Sequence, residues 1–458
     1  MSESQRMEAE VVICGAGISG VAAAYFLAVE HGISDVLLID KDAPLSLTSD
    51  KSTECYRNWW PGPGDAMVAL MNRSITLMEQ MAEASSNIFQ MNQRGYLYVT
   101  REEETIASLQ AAAEEAAELG AGDLRIHAAL KNSYQPHRPE GLVGKLDGAD
   151  LIIDSRLIHQ HFPYLASEVC AVLHVRRAGW LSAQQFGTWM LDQAKAAGAD
   201  FWRVELTGVE VQDHRVIAVE LSGGKRVVCE HFVDAAGPLA AEVAGLIGEE
   251  LPIYNELHLK SSIDDSLGAL NRDAPLVISA DNQKLDWSPD EAEFLREDAE
   301  HHWLMDELPF GAHTRPEGGL AAKSILLLWD THERRGPAKF PIKVDPLEAE
   351  IALRGLSKII PALQPYLEKM PKPFVDGGYY TKTEENRPLA TPLSIEGSYY
   401  IGASSGYGIM AAAVLGELLA EHICGGDHPD YSPAFHLDRY RDPDYLALLE
   451  NWGESWQL

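Results

Sequence analysis

The sequence predicts an α/β fold, α+β overall, in which a parallel-sheet domain is interleaved with a mostly antiparallel β-rich one. Three stretches carry that expectation. Residues 10–40 run from an apolar strand through Gly15-x-Gly17-x-x-Gly20 into a small-residue helix, then into a second strand that ends at Asp40. Residues 231–236 form another apolar strand and run into Gly237-Pro238. Residues 399–423 repeat the order of strand, glycine cluster and helix near the other end of the chain. Parallel-sheet signals at both ends, with β-rich sequence between them, imply discontinuous domains and a chain that crosses between them several times.

The first stretch has a mechanical reading. The apolar run at 11–14 is bounded by glycine and reads as a buried strand. Gly15 permits the tight turn, Gly17 lets a pyrophosphate approach the backbone, and Gly20 lets the helix press on the sheet. The helix N-terminus offers N–H groups to the phosphates. Asp40, twenty residues past Gly20, stands where a carboxylate takes ribose hydroxyls. A glycine triplet alone is only a turn; with strand, helix and acidic residue in place it reads as a Rossmann-type dinucleotide site.

Composition narrows the classes. The 458 residues, 46% apolar, suffice for a large core and one or two domains. A net charge of −32 argues against nucleic acid or an anionic membrane as partner. The five cysteines are scattered without a C-x-x-C pair, so neither a disulfide framework nor a metal site is expected. The first ten residues lack the basic-then-apolar layout of a signal peptide, and no apolar run reaches eighteen residues. No membrane span and a cytoplasmic location are the expectations.

After Asp40, residues 41–64 form a loop rich in Ser, Thr, Gly and Pro that holds Arg57, Trp59 and Trp60. A loop of this length carrying aromatics is expected to be functional. Residues 65–84 read as a helix whose methionine stripe packs in the core. A strand at 95–100 and a surface helix at 102–119 follow, then a mixed stretch at 121–180. A helix at 182–197 precedes strands at 200–204, 209–211 and 215–221, and Ser222-Gly223-Gly224 signals a hairpin. Residues 252–263 open the second β-rich region, where His258 and Lys260 share a face. Residues 282–303 read as an acidic helical insertion on the surface, 324–331 as a strand and 346–363 as a helix. The expected division is 1–90, 181–250 and 376–440 for cofactor binding, 91–180 and 251–375 for substrate, and 441–458 as a polar tail.

With the glycine pattern of 15–40, the strand end at 234–237, Tyr-Thr-Lys-Thr at 380–383 and the glycine cluster at 402–408, the chain resembles the FAD-dependent D-amino acid oxidase superfamily. It is most similar to the branch of monomeric sarcosine oxidase, glycine oxidase and dimethylglycine dehydrogenase. The resemblance implies a Rossmann-type FAD-binding domain with an interleaved, mostly antiparallel β-sheet substrate domain. It implies FAD contacts from Gly15, Gly17, Ile18, Ser19, Gly20, Asp40, Lys41, Ser52 and Thr53, and from Ala236 and Gly237. It implies further contacts from Gly402, Gly406, Tyr407, Gly408, Ile409 and Met410, where a helix N-terminus would stabilise charge on the reduced flavin edge.

Departures from the family pattern carry information. The cysteine that links flavin covalently in the sarcosine oxidases falls at Gly378, so noncovalent FAD is expected. Of the pair that holds the substrate carboxylate there, Arg57 matches the arginine, while the lysine position reads Met410, which suggests a larger or more apolar substrate. The oxygen-activating lysine falls on the leucines of 324–331, with Lys260 or Lys323 as possible substitutes, and its loss favours a dehydrogenase.

The expected catalytic set is Arg57, His258, Lys260, Tyr380 and Tyr407. Glu54, in the same loop as Arg57, is read either as a site for a cationic amine or as the partner of Arg57. The expected function is oxidation of a C–N bond in a small secondary or tertiary amine or amino acid, by hydride transfer to FAD N5 and hydrolysis of the imine. Oxygen or another acceptor would reoxidise the flavin, in a monomer or homo-oligomer. The alternatives are 2-hydroxy acid oxidation with His258 as base, and an accessory flavoprotein that docks through 282–303.

Overall fold

The structure is a computed structural model and describes residues 7–60, 62–128, 134–142 and 146–450. The first six residues of the leader reading and residues 451–458 of the expected tail lie outside the described residues.

Two large sheets organise the chain. At the centre of the first, eight-stranded sheet lies Glu8–Cys14, parallel to Val36–Asp40 on one side and to Lys225–Asp234 on the other. Both faces are covered, so Val11, Val12 and Ile13 are all fully buried and the strand reads as an unbroken apolar run. Lys225–Asp234 pairs first with Arg215–Leu221 and then, through its last residues, with Ser398–Gly402. Sequence from the far end of the chain thus completes the sheet. Gly223 and Gly224 both take positive φ, 81° and 74°, in the hairpin turn where the spacing places it.

The helices Ile18–Tyr25 and Gly408–Cys424 press together, because a Cβ at Gly416 would lie only 2.8 Å from the Ala22 carbonyl carbon. Ala66–Ala84 packs on the second of them, with Met67, Met71, Met78 and Met81 buried as expected of a core stripe. The Ser74 hydroxyl of that helix donates to the Met410 carbonyl.

The second sheet has nine strands. Their order is Phe374–Lys382, Tyr254–Asp264, Ser324–Leu328, His313–Pro316, Leu276–Ser279, Tyr96–Thr100, Ala171–Val175, Ala149–Ile152 and Leu124–His127. Neighbours are antiparallel except at two joins, Leu276–Ser279 with Tyr96–Thr100 and Leu124–His127 with Ala149–Ile152. The fold is therefore α/β with a mostly antiparallel second sheet. Three of these strands come from the stretch at 121–180 that showed no clear pattern.

Other expectations are corrected. Residues 282–303 are not one surface helix. Only Pro289–Glu297 is helical, opened by a Ser288–Glu291 capping box. Leu285, Leu295 and Leu304 are buried in the second core, so sparse apolar residues tie the acidic segment down. The helix expected over 346–363 is Glu348–Ser357, and Pro361 opens a separate short turn. Within the expected polar tail, Pro443–Glu450 is a helix pinned by the Tyr445 hydroxyl, which donates to Glu385 at 3.0 Å. No described helix is long and apolar enough to cross a membrane.

Candidate active site

A cavity of about 350 Å³ opens where the parallel strands of the first sheet end, the edge at which open α/β sheets bind nucleotides. Gly15, Gly17, Ile18, Ser19, Asp40 and Lys41 line it from one side, and Ala236, Gly237, Gly402 and Gly408 from the other. Gly15 has φ +110°, and a Cβ there would lie 2.3 Å from the Ala235 carbonyl oxygen. Gly20 is not part of the wall; a Cβ there would overlap the Gly15 carbonyl oxygen at 1.9 Å, so its task is helix-on-strand contact. Asp40 is held at the wall by the Ala16 N–H at 2.8 Å and the Asp42 N–H at 2.9 Å. Glycines that leave room at the backbone, a helix N-terminus and a fixed carboxylate fit a dinucleotide.

The loop after Asp40 meets this cavity through Thr48 and Ser49, not through Ser52 and Thr53. The Ser49 hydroxyl accepts the Ile18 N–H at 2.9 Å. Ser52 lines neither large cavity, and its hydroxyl accepts the Glu54 N–H at 2.9 Å. Thr53 lines the second cavity, and its carbonyl accepts two hydrogen bonds from Arg315 at 3.0 and 2.9 Å. Ile409 is buried in the core and lines neither. Two hydroxyl pairs in this loop, Thr48-Ser49 and Ser52-Thr53, made the sequence signal degenerate; the short turn Thr48–Lys51 lies between them.

A second cavity, of about 610 Å³, lies over one face of the nine-stranded sheet. Arg57, His258, Tyr380, Tyr407, Gly406 and Met410 from the sequence reading all line it. Arg57 ends the short strand Cys55–Arg57 and is only 2% exposed. Its guanidinium lies 4.5 Å from the Trp60 ring centre and 5.7 Å from that of Tyr96, and its Nε donates to the Trp59 carbonyl. Tyr407 stands edge-on to Trp60 at 5.0 Å and donates to the Asn386 carbonyl. A Cβ at Gly406 would touch Tyr380 at 2.9 Å, so the glycine lets this ring lie against the backbone.

Lys260 is placed otherwise than expected. It lines neither cavity, and its ammonium donates to the Ser52 carbonyl at 2.7 Å. Lys323 is exposed. The lysine that does reach the second cavity is Lys382, in an ion pair with Glu256 at 2.6 Å. Glu54 takes neither role foreseen for it: it pairs with Arg315 at 3.1 Å and accepts the Ala183 N–H at 2.9 Å.

His258 stacks on Tyr380 with ring centres 3.9 Å apart and planes 18° from parallel. Its Nδ1 lies 2.9 Å from an Asp330 oxygen and its Nε2 3.3 Å from a Glu256 oxygen, as ion pairs more than as aligned hydrogen bonds. Burial would depress this imidazole, but the charge of Asp330, then that of Glu256, outweighs it and holds the ring at about 9. His258 is therefore an imidazolium at neutral pH. Asp330, open to the cavity, is pushed up by burial yet pulled down to about 2 by His258.

Asp330 and His313 are wall residues that sequence reasoning missed. They sit 17 positions apart in the chain and meet only because Ser324–Leu328 pairs with His313–Pro316. The sequence reading of His313 concerns metal ligation alone, for which it shows no spacing.

A nucleotide cradle at the sheet edge, with a second cavity walled by cations, aromatics and aliphatic side chains, defines a nucleotide-cofactor oxidoreductase of the α/β type. The family model described as FAD dependent oxidoreductase (DAO) matches residues 10–422, and the chain belongs to that family. Its cofactor is FAD, as the resemblance read from the sequence implied. The mitochondrial dimethylglycine dehydrogenase of Mus musculus is 24% identical over 434 residues, which cover 92% of this chain and 43% of that protein. This chain thus spans less than half the length of that relative. The sarcosine oxidase beta subunit of Rhizobium meliloti (strain 1021) is 24% identical over 265 residues, 56% of each chain. Among solved structures, L-proline dehydrogenase from P. horikoshii matches with a TM-score of 0.72 at 20% identity, over 95% of this chain and 98% of that one. Glycine oxidase from Geobacillus kaustophilus matches at 0.70 and 16%, over 94% and 99%.

Proposed function

We propose that this oxidoreductase oxidises a C–N bond of a small secondary or tertiary amine or amino acid, with FAD held noncovalently and the product imine released to hydrolyse. The observation that carries the reading is Arg57, a buried guanidinium on the wall of the second cavity. Such a group binds a carboxylate through charge-assisted, paired hydrogen bonds. Gly15, Gly17, Asp40, Thr48 and Ser49 would hold FAD, which when bound supplies the hydride acceptor. Arg57 orients the substrate; Leu276, Ile278 and Leu328 keep water from the reacting carbon; Met410 offers apolar contact in place of a second cation. Names of matched relatives refer to dimethylglycine, sarcosine, glycine and proline, which supports a small amino acid or an N-alkylated one. We place the two functions on the two sheets, so that the substrate unit extends through Lys382.

The hydroxy-acid alternative needs a base. His258, the residue expected in that role, is held as a cation by Asp330 and Glu256 and so does not fill it. In the segment named by the accessory reading, Leu285, Leu295 and Leu304 turn inward while Phe294 stays exposed.

The test is anaerobic mixing of the FAD-loaded protein with N,N-dimethylglycine, N-methylglycine, L-proline, polyamines and 2-hydroxy acids. We expect an amine to bleach the flavin and air to restore it slowly, because Lys260 is tied to Ser52 and does not line the second cavity. Bleaching by hydroxy acids alone would reject the amine reading. Acid precipitation should leave a white pellet and a yellow supernatant, since Gly378 has no sulfur to offer. A yellow pellet would mean a covalent link.

A further inference from the structure

We infer that Arg315 is a positioning residue: through the strained turn at Glu54 it holds Arg57 where a substrate carboxylate meets it. The inference rests on the role given to Arg57 above. Arg315 shares a face of the strand His313–Pro316 with the wall residue His313, yet it lines neither cavity and is only 1% exposed. The loop of Thr53 and Glu54 bonds to it instead. Its Nε and Nη2 both donate to the Thr53 carbonyl, at 3.0 and 2.9 Å, and Nη2 also donates to Glu54 at 3.1 Å. Its Nη1 donates to the Pro316 carbonyl at 3.0 Å and lies 2.7 Å from a Glu317 oxygen. The guanidinium fork is spent on the protein itself, so its task is to hold chain and not ligand.

Glu54 has φ +63°, a left-handed conformation uncommon for a residue with a Cβ. Such strain persists only where the surroundings fix it. Here the Glu54 N–H donates to the Ser52 hydroxyl, and its carbonyl accepts the Leu181 N–H at 3.1 Å. One carboxylate oxygen accepts the Ala183 N–H and the other accepts from Arg315. The turn sends the chain directly into Cys55–Arg57, which forms a two-stranded ribbon with Ala178–Trp180. A ribbon this short is marginal by itself. The Arg315 guanidinium also lies 5.2 Å from the ring centre of Trp180, the strand partner of Cys55, so it grips both strands at one end. The contacts of Arg57 with Trp59 and Trp60 lie within its own loop and move with it. The place of the Arg57 guanidinium over the nine-stranded sheet therefore depends on how the ribbon is fastened to that sheet, and Arg315 is a fastening that the sheet supplies. Paired hydrogen bonds to a carboxylate are directional, so a small displacement of Arg57 weakens them.

The test starts with propionate titrations of the FAD-loaded protein, read from the flavin spectrum, in wild type and Arg315→Lys. A lysine keeps the charge for Glu54 and Glu317 but cannot bond Thr53 twice and Glu54 at once. FAD should stay bound, and propionate should bind about 10-fold more weakly. The second step is a double-variant cycle on the second-order rate constant of anaerobic bleaching, with whichever of N,N-dimethylglycine, N-methylglycine and L-proline reacts fastest. Arg315→Lys should cost about 10-fold in the wild-type background but no more than about twofold in Arg57→Ala, where no guanidinium remains to be misplaced. An equal loss in both backgrounds overturns the assignment, because Arg315 would then act on the cavity by another route. So does a lower unfolding midpoint with unchanged propionate affinity, which would make Arg315 a brace and nothing more. If Arg315→Lys does not load FAD, Glu54→Gln takes its place, since it gives up only the charge of the pair. Loss of FAD there too overturns the assignment, for the clamp would then serve the cofactor. If no amine bleaches the wild-type flavin, or if Arg57→Ala keeps its propionate affinity, the functional reading falls and this role with it. A loss of affinity in Arg57→Ala with none in Arg315→Lys removes Arg315 alone.

Discussion

Arg57→Ala should weaken binding of a simple carboxylate such as propionate by about 100- to 1000-fold while the protein keeps its FAD. The guanidinium is buried and backed by aromatic faces, so a carboxylate meets it away from bulk water. Losing such a charge-assisted pair costs about 3–4 kcal/mol, which gives that fold-change. FAD should stay because Arg57 lines the second cavity and not the first. Titration of the flavin spectrum with propionate reads the affinity directly. Arg57→Lys should recover part of it, since an ammonium keeps the charge but loses the planar fork. Weaker flavin retention with unchanged propionate affinity would mean that Arg57 only braces its loop through the Trp59 carbonyl.

The difference between what the sequence revealed and what it hid follows from chain separation. Gly15, Gly17, Gly20 and Asp40 act through local geometry, within one strand–helix–strand unit, and each is where the spacing placed it. Arg57 and Met410 were legible through a resemblance tied to particular positions. The second cavity is another matter. Its wall is built from Tyr254–Asp264, Phe374–Lys382, Ser324–Leu328 and His313–Pro316, and their order in the sheet is not their order in the chain. Period-two alternation correctly put His258 and Lys260 on one face. It had no means of showing that Asp330 would meet the first and the Ser52 carbonyl the second. The acidic insertion was misread for a related reason: a few leucines among many carboxylates decide its burial, and composition averages them away.

The stability that His258 contributes should fade as pH rises. In the unfolded chain its imidazole titrates near 6.5, while in the folded protein Asp330 and Glu256 hold it at about 9. Below about pH 6.5 both states are charged and the contribution is complete; between about 6.5 and 9 only the folded state binds the proton; above 9 the contribution is gone. The interval is worth about 3 kcal/mol for a side chain this deeply buried, an amount already shared with the depressed carboxyl of Asp330. Denaturant unfolding of wild type and His258→Gln from pH 6 to pH 10 should show their stability gap shrinking by about that amount. A gap that stays constant or widens would mean that the ring packs on Tyr380 without carrying charge. The same proton matters to the cavity. When His258 loses it, Asp330 and Glu256 lose the positive charge between them, and the wall turns more negative. A substrate whose carboxylate must reach Arg57 then enters against that field, so affinity for propionate should fall over the same pH range as the stability gap.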